Sequence, residues 1–141
     1  MQNAPKIRGF RRASRTEGQA LVEFAMVLPL LALLLFAIIQ FGIVYNNYVS
    51  LTDAVRAGAR KAAVSRQTTD PTGPVGVTKQ AVIDAGSDIT IASGDITVST
   101  PDGWNPGEGV TVTATHPYSI NLFGIVVASG NLSSQTTERI E

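Results

Sequence analysis

The chain has no cysteine, and its 141 residues include a single histidine and a single tryptophan. Without cysteine there are no disulfides, no thiolate chemistry and no lipid attached through a cysteine. The compartment stays open, because absence of cysteine fits several. His116 stands beside Pro117 with neither a second histidine nor a thiol, so no catalytic triad or zinc site can be built around it. Its expected place is a partly exposed strand position. No glycine-rich phosphate loop follows a predicted strand. Asp102 and Glu108 flank a turn, but Trp104 and Pro106 stand where a calcium loop needs oxygen ligands. The inventory therefore predicts no cofactor, no metal site and no small-molecule substrate; the expected protein is not an enzyme.

Charge is scarce as well. Only 16% of the residues are charged, against about 25% in ordinary soluble domains. The deficit is local, because apolar residues pile up between Ala20 and Tyr45. The formal net charge of zero sums two unlike parts. Residues 1–18 carry Lys6, Arg8, Arg11, Arg12 and Arg15 against Glu17 alone. The remainder carries six basic and ten acidic side chains, a net of −4. A basic arm and an acidic body imply two different surroundings. Arg56, Arg60, Lys61 and Arg66 form a short cluster without interleaved aromatics, which reads as a solvated helix face and not as a nucleic-acid surface.

From Phe24 to Ile39 no residue is charged, and Pro29 is the only helix breaker. As a helix, Phe24–Tyr45 would be ~33 Å long, a match to a hydrocarbon core of about 30 Å. Its residues are apolar on every side, which belongs in lipid or in the centre of a large assembly. A cleaved secretory signal would have a shorter apolar region and a small-residue cut site. This run instead leads into Tyr45, Asn46, Asn47 and Tyr48, and tyrosines at that boundary fit an interfacial belt. Arg11-Arg12 lacks the apolar residues that should follow a twin-arginine signal. The five basic residues before the span orient it with residues 1–18 in the cytoplasm and residues 46–141 outside. The expected location is the cytoplasmic (inner) membrane, crossed once.

One residue does not fit a plain anchor. Glu23 lies inside the apolar run. Insertion of a carboxylate costs about 2.5–3.5 kcal/mol at a helix centre and less near an end, so such a residue calls for a functional partner. The sequence around it reads Glu17-Gly18-Gln19-Ala20-Leu21-Val22-Glu23-Phe24. A basic leader ends in Gly18, Glu23 is the fifth residue after it, and an aromatic follows. This resembles the processing motif of prepilins. The resemblance implies that a membrane-embedded prepilin peptidase cuts between Gly18 and Gln19. It also implies that Glu23 of one subunit neutralises the new α-amine of a neighbour as a filament assembles. In a low-dielectric setting an unpaired charge costs far more than a matched one. A glycine before the cut lets a protease approach the backbone.

The longer run Gly18–Ala25, then Val27-Leu28-Pro29-Leu30, Phe41-Gly42 and Leu51–Arg60, is similar to the TadE-like family. That likeness covers about residues 17–61. It implies a minor pilin or pseudopilin of the tight-adherence (type IV-like) pilus and secretion machinery. The partners implied are the prepilin peptidase, other pilin subunits, the pilus assembly platform and membrane lipid, with the pilus as a destination and cell adhesion as the output. The pilins forming the bulk of such a pilus are shorter, so a folded domain after the span points to the minor class. Phe24 stands where the short pilins commonly carry tyrosine. The alternative from a different class is a permanent single-pass anchor whose outer domain binds a partner, with the motif fortuitous.

Pro29 removes a backbone donor and predicts a kink in the span. Beyond Tyr45, Tyr48, Leu51, Val55, Ala59 and Ala62 recur at helical spacing. The span is therefore expected to continue as an amphipathic helix, one element over residues 19–65 of ~70 Å. The small residues Ala54, Ala57, Gly58, Ala59, Ala62 and Ala63 permit close approach of another element. Gln67–Gly76 reads as a loop and residues 77–85 as a short helix stopped by Gly86. The period then becomes two. Ile96 and Val98, then Val110, Val112 and Ala114, predict a hairpin with a long turn-rich loop between. Residues 131–140 suggest a third strand, and Ile120–Val127 an apolar bridge packed under the sheet. Trp104 is expected to pack on its own domain. The fold class expected is α+β: a long N-terminal transmembrane helix continuing as an amphipathic helix, then a small antiparallel sheet packed on its outer half. The expected divisions are a leader (1–18), a transmembrane helix (19–45), an extramembrane helix (46–66) and an outer domain (67–141).

Overall fold

The computed structural model describes residues 15–141. The basic leader, apart from its last four residues, lies outside the described residues. The described residues fall into two units, which divide between Phe36 and Ala37.

Leucine, isoleucine and alanine dominate the first half of α1 (Arg15–Ala63), and helical backbone runs through Pro29. From Gly18 to Leu31 every side chain is exposed, in keeping with an element apolar all round. From Leu51 the helix acquires two unlike sides. Leu51, Ala54, Val55, Ala59 and Ala62 are buried, whereas Asp53, Arg56 and Arg60 are exposed. Tyr48, expected on the inner side, stays 43% exposed at the edge of that stripe. Arg60 and Lys61 lie in the last turn, where positive charge meets the helix dipole favourably.

The next helix, α2 (Gly73–Ala85), begins four residues before its expected start. Pro74 lies in its first turn, where a missing N–H costs nothing because those donors have no intrahelical partner. The preceding turn is held by Asp70, whose carboxylate accepts from the Thr72 hydroxyl at 2.5 Å and the Thr72 N–H at 2.8 Å. These bonds, the hydroxyl one foremost, keep the Asp70 carboxyl below its ordinary 3.8. At the other end the Gly86 N–H donates to Val82 O at 3.0 Å, so Gly86 stops the helix as expected.

The three strands β1 (Ile96–Ser99), β2 (Gly109–Leu122) and β3 (Ile125–Arg139) form an antiparallel sheet in the order β1-β2-β3. The loop between β1 and β2 is turn-rich, with Gly103 and Gly107 at positive φ. β2 and β3 are longer than their alternation patterns had suggested. The segment Ile120–Val127 is not a bridge under the sheet. It is the end of the β2–β3 hairpin, closed by Phe123 (φ 52) and Gly124 (φ 85). Positive φ at both central residues matches the right-handed twist of the strands. A bulge follows, since Ile120 pairs with Ala128 and Asn121 with Val126, leaving Val127 unpaired. The apolar character of this segment is therefore spent at a hairpin end and not on the core: Ile125, Val126 and Val127 are all exposed.

The core lies in the second unit. Leu51, Val55, Ala59 and Ala62 of α1 share it with Val82 of α2, Ile91, Ile96 of β1, Val110, Val112 and Ala114 of β2, and Ile140. Each fully buried Val, Leu or Ile contributes about 1.5–3 kcal/mol relative to exposure. Trp104 packs against this cluster, as expected. The α1–α2 crossing depends on Gly58, where a Cβ would overlap Val82 Cγ2. The fold is thus a long apolar helix followed by a small three-stranded antiparallel sheet with one short helix.

Candidate functional site

The residues singled out by the motif all fall in the first turns of α1. Gly18 is exposed, and a Cβ built on it would have no atom within 4 Å. Its backbone is helical, as is that of Gln19. A glycine inside a helix costs about 1 kcal/mol relative to alanine. The Gly18–Gln19 bond therefore sits at a locally weakened, unobstructed point of a helix.

One turn further on, the Gln19 Nε2 amide donates to the Glu23 Oε1 carboxylate at 3.1 Å. The four-residue spacing puts both side chains on one side of the helix. Leu21, Val22 and Phe24 around them are 56–69% exposed. Glu23 is therefore a carboxylate on an apolar surface, bonded there by a neutral amide. Pro29 follows within unbroken helix.

The apolar surface is extensive. The most apolar stretch of Gly18–Ala63 has none of its residues buried. Near the end of the run, Phe41 and Tyr45 stack four residues apart with ring centroids 6.5 Å from each other.

The outer domain offers no competing chemistry among the described residues. No three His, Asp or Glu side chains there come together as a metal site would require. His116 is half-buried at a strand position, and its Nδ1–H donates to Thr90 O at 3.1 Å. The shallow cleft beside α2, lined by Lys61, Asp70, Thr72, Gln80 and Asp84, is open to solvent. The Arg56–Asp53 pair at 3.3 Å is exposed on both sides and worth little.

Sequence reasoning missed the hairpin end. Its signals were present: Tyr118, Ile120 and Leu122 prolong the alternation of Val110, Val112 and Ala114, and Gly124 sits where a turn needs positive φ.

Among the described residues one helix is long and apolar enough to cross a membrane, and a small α+β region follows it, an arrangement that fits a single-pass anchor. Residues 18–60 match the family model described as TadE-like protein, the family that the motifs resemble. That family is pilin-type and structural, and the likeness to it is confined to α1. The match takes in Gly18, Gln19, Glu23, Phe24 and Pro29 and runs to Arg60 in the core-forming part of α1. No curated protein and no solved structure gives a significant match.

Proposed function

We propose that this protein is a minor pilin or pseudopilin of a tight-adherence pilus, made as a precursor and cut by prepilin peptidase between Gly18 and Gln19. The observation that carries the reading is the placement of Glu23. It lies five residues past Gly18 on an exposed apolar helix, within hydrogen-bond reach of the Gln19 side chain. Cleavage would create an α-amine on Gln19 close to that carboxylate. In lipid Glu23 is then tolerated near the helix end, and in an assembly it meets the amine of a neighbouring subunit. The basic leader orients the span with its N-terminus in the cytoplasm and the sheet domain outside. Residues 19–45 are the membrane segment, 46–66 the extramembrane helix and 67–141 the outer domain. The other subunits, the assembly platform and lipid are its partners, and Pro29 is the place where the helix adjusts between bilayer and filament.

The permanent-anchor reading draws on one observation: the Gly18–Gln19 bond is in helical backbone, and proteases cut extended segments. Processing would require local unwinding, which Gly18 eases. The test is the intact mass of the full chain made together with its own peptidase and assembly machinery. Processing predicts a chain beginning at Gln19. A chain still beginning at Met1, beside another substrate that is cut, sinks the pilin mechanism and leaves the anchor.

A further inference from the structure

The end of the β2–β3 hairpin is the most apolar surface outside the span. From Pro117 to Thr137 there is no charged residue, in a chain where 16% of residues are charged. Ile125, Val126 and Val127 are 68%, 57% and 55% exposed. On the sheet face that carries the buried Val110, Val112 and Ala114, the alternation continues through His116, Tyr118, Ile120 and Leu122, all half-buried. Tyr118 lies over Gly130 on the neighbouring strand, where a Cβ would come within 3.1 Å of its ring.

The direction of the hairpin follows from contacts within the second unit. At the start of β2 and the end of β3 the chain is tied to the C-terminal end of α1, since Glu141 N–H donates to Ala63 O at 3.0 Å. Further along β2, His116 bonds Thr90 O, and nearby Asp88 accepts from the Ser50 hydroxyl. β2 thus runs back along α1 from the level of Ala63 to about that of Ser50. It continues for six more residues to Leu122, ~20 Å at strand rise. Along α1 that distance corresponds to at most about 13 residues, so the hairpin end lies between the level of Tyr45, where the apolar run stops, and that of Ala37. The half-buried positions of α1 there, Ala37, Gln40, Val44 and Asn47, fall three or four apart on one stripe. That stripe joins the core side through Leu51 and Ala54.

We propose that the hairpin end is a second membrane contact, whose partner is the headgroup–acyl boundary of the bilayer that α1 crosses. Leu122, Ile125, Val126 and Val127 lie at the acyl edge, and Tyr118 sits higher at headgroup level, where tyrosine is favoured. The contact is shallow. β3 is an edge strand, and β2 beyond Thr111–Ala114 has no β1 partner on its other side. Open strand edges cannot enter hydrocarbon, because their backbone groups would lose water without gaining partners. The hairpin therefore fixes the height of the sheet domain above the bilayer, a role the span alone cannot perform. This inference rests on α1 crossing the membrane.

The chain lacks cysteine, so one introduced thiol reports one position in the full-length protein. An environment-sensitive fluorophore is attached to Val126→Cys at the hairpin end, to Thr97→Cys at an exposed position of β1, and to Leu34→Cys within the span. Each variant is reconstituted in phosphatidylcholine–phosphatidylglycerol vesicles, with or without lipids carrying a nitroxide at shallow or deep positions. All three sites are exposed, so the replacements leave the core intact. The expected result is a blue shift at Val126→Cys with strongest loss of emission from the shallow nitroxide, deep quenching at Leu34→Cys, and neither at Thr97→Cys. Quenching at Leu34→Cys with a water-like Val126→Cys overturns the hairpin contact and keeps the span. Protection at Val126→Cys that disappears as protein is diluted in lipid overturns it in favour of a second copy of the chain. A water-like Leu34→Cys overturns the span itself.

Discussion

Glu23 and Gln19 carry the pilin reading between them. The amide–carboxylate bond at 3.1 Å satisfies part of Glu23 but does not neutralise it. An α-amine would do both, which is why removal of the leader matters for this carboxylate. Glu23→Ala is predicted to leave the chain in the membrane fraction and to abolish its incorporation into sheared pili. Glu23→Gln is the sharper variant, since it retains hydrogen bonding and removes only charge. Loss of incorporation in both identifies charge pairing, whereas normal assembly of Glu23→Gln would refute it. The oddity of Glu23 was legible in the sequence, because a carboxylate within an apolar run breaks the local pattern. Its bond to Gln19 follows from four-residue spacing once the helix is known to begin before Gly18. That beginning, at Arg15, lay outside the apolar pattern and was not legible from it.

Among the elements, the crossing of α1 and α2 has the tightest tolerance. Gly58 faces Val82, with Thr78 O 3.5 Å from where a Cβ would stand. Gly58→Ala gains helix propensity but drives a methyl into Val82, and overpacking costs about 1–3 kcal/mol. The variant is expected to lower the midpoint of chemical unfolding of the full chain in detergent. Val82→Ala in the same chain should recover part of that loss, since the two positions touch. An unchanged midpoint for Gly58→Ala would mean that the helices do not cross there. The run of small residues announced this close approach, although it did not name the partner. The apolar stripe Leu51, Val55, Ala59, Ala62 and the alternation of Val110, Val112 and Ala114 were likewise readable. Periodicity was harder to read at Ile120–Val127, because the alternation that runs to Leu122 gives way to the apolar run Ile125-Val126-Val127 without a polar residue between. The turn at Phe123-Gly124 and the bulge at Val127 resolve the segment into a strand, a turn and a strand.

For the molecule as a whole, charge and apolar surface are sorted by position along the chain. Basic residues gather before the span, acidic ones predominate after it, and the hairpin of residues 117–137 carries neither. The second unit contains its own length of apolar helix, from Ala37 to Tyr45, continuous with the helix that supports the core. This continuity gives the join a phase as well as a length. One alanine inserted between Asn46 and Asn47 turns everything after it by about 100° and raises it only ~1.5 Å. Seven inserted residues restore the rotation to within about 20° but raise the domain by about 10 Å. A bilayer is indifferent to azimuth and sensitive to height; a filament lattice indexes both. The single insertion should keep lipid quenching at Val126→Cys and lose entry into pili, while the seven-residue insertion should lose the quenching. A single insertion that still enters pili would mean that no neighbouring subunit reads the azimuth of this domain. The uninterrupted helix thus acts as a shaft coupling, and its two insertions separate what the membrane requires of the protein from what an assembly requires.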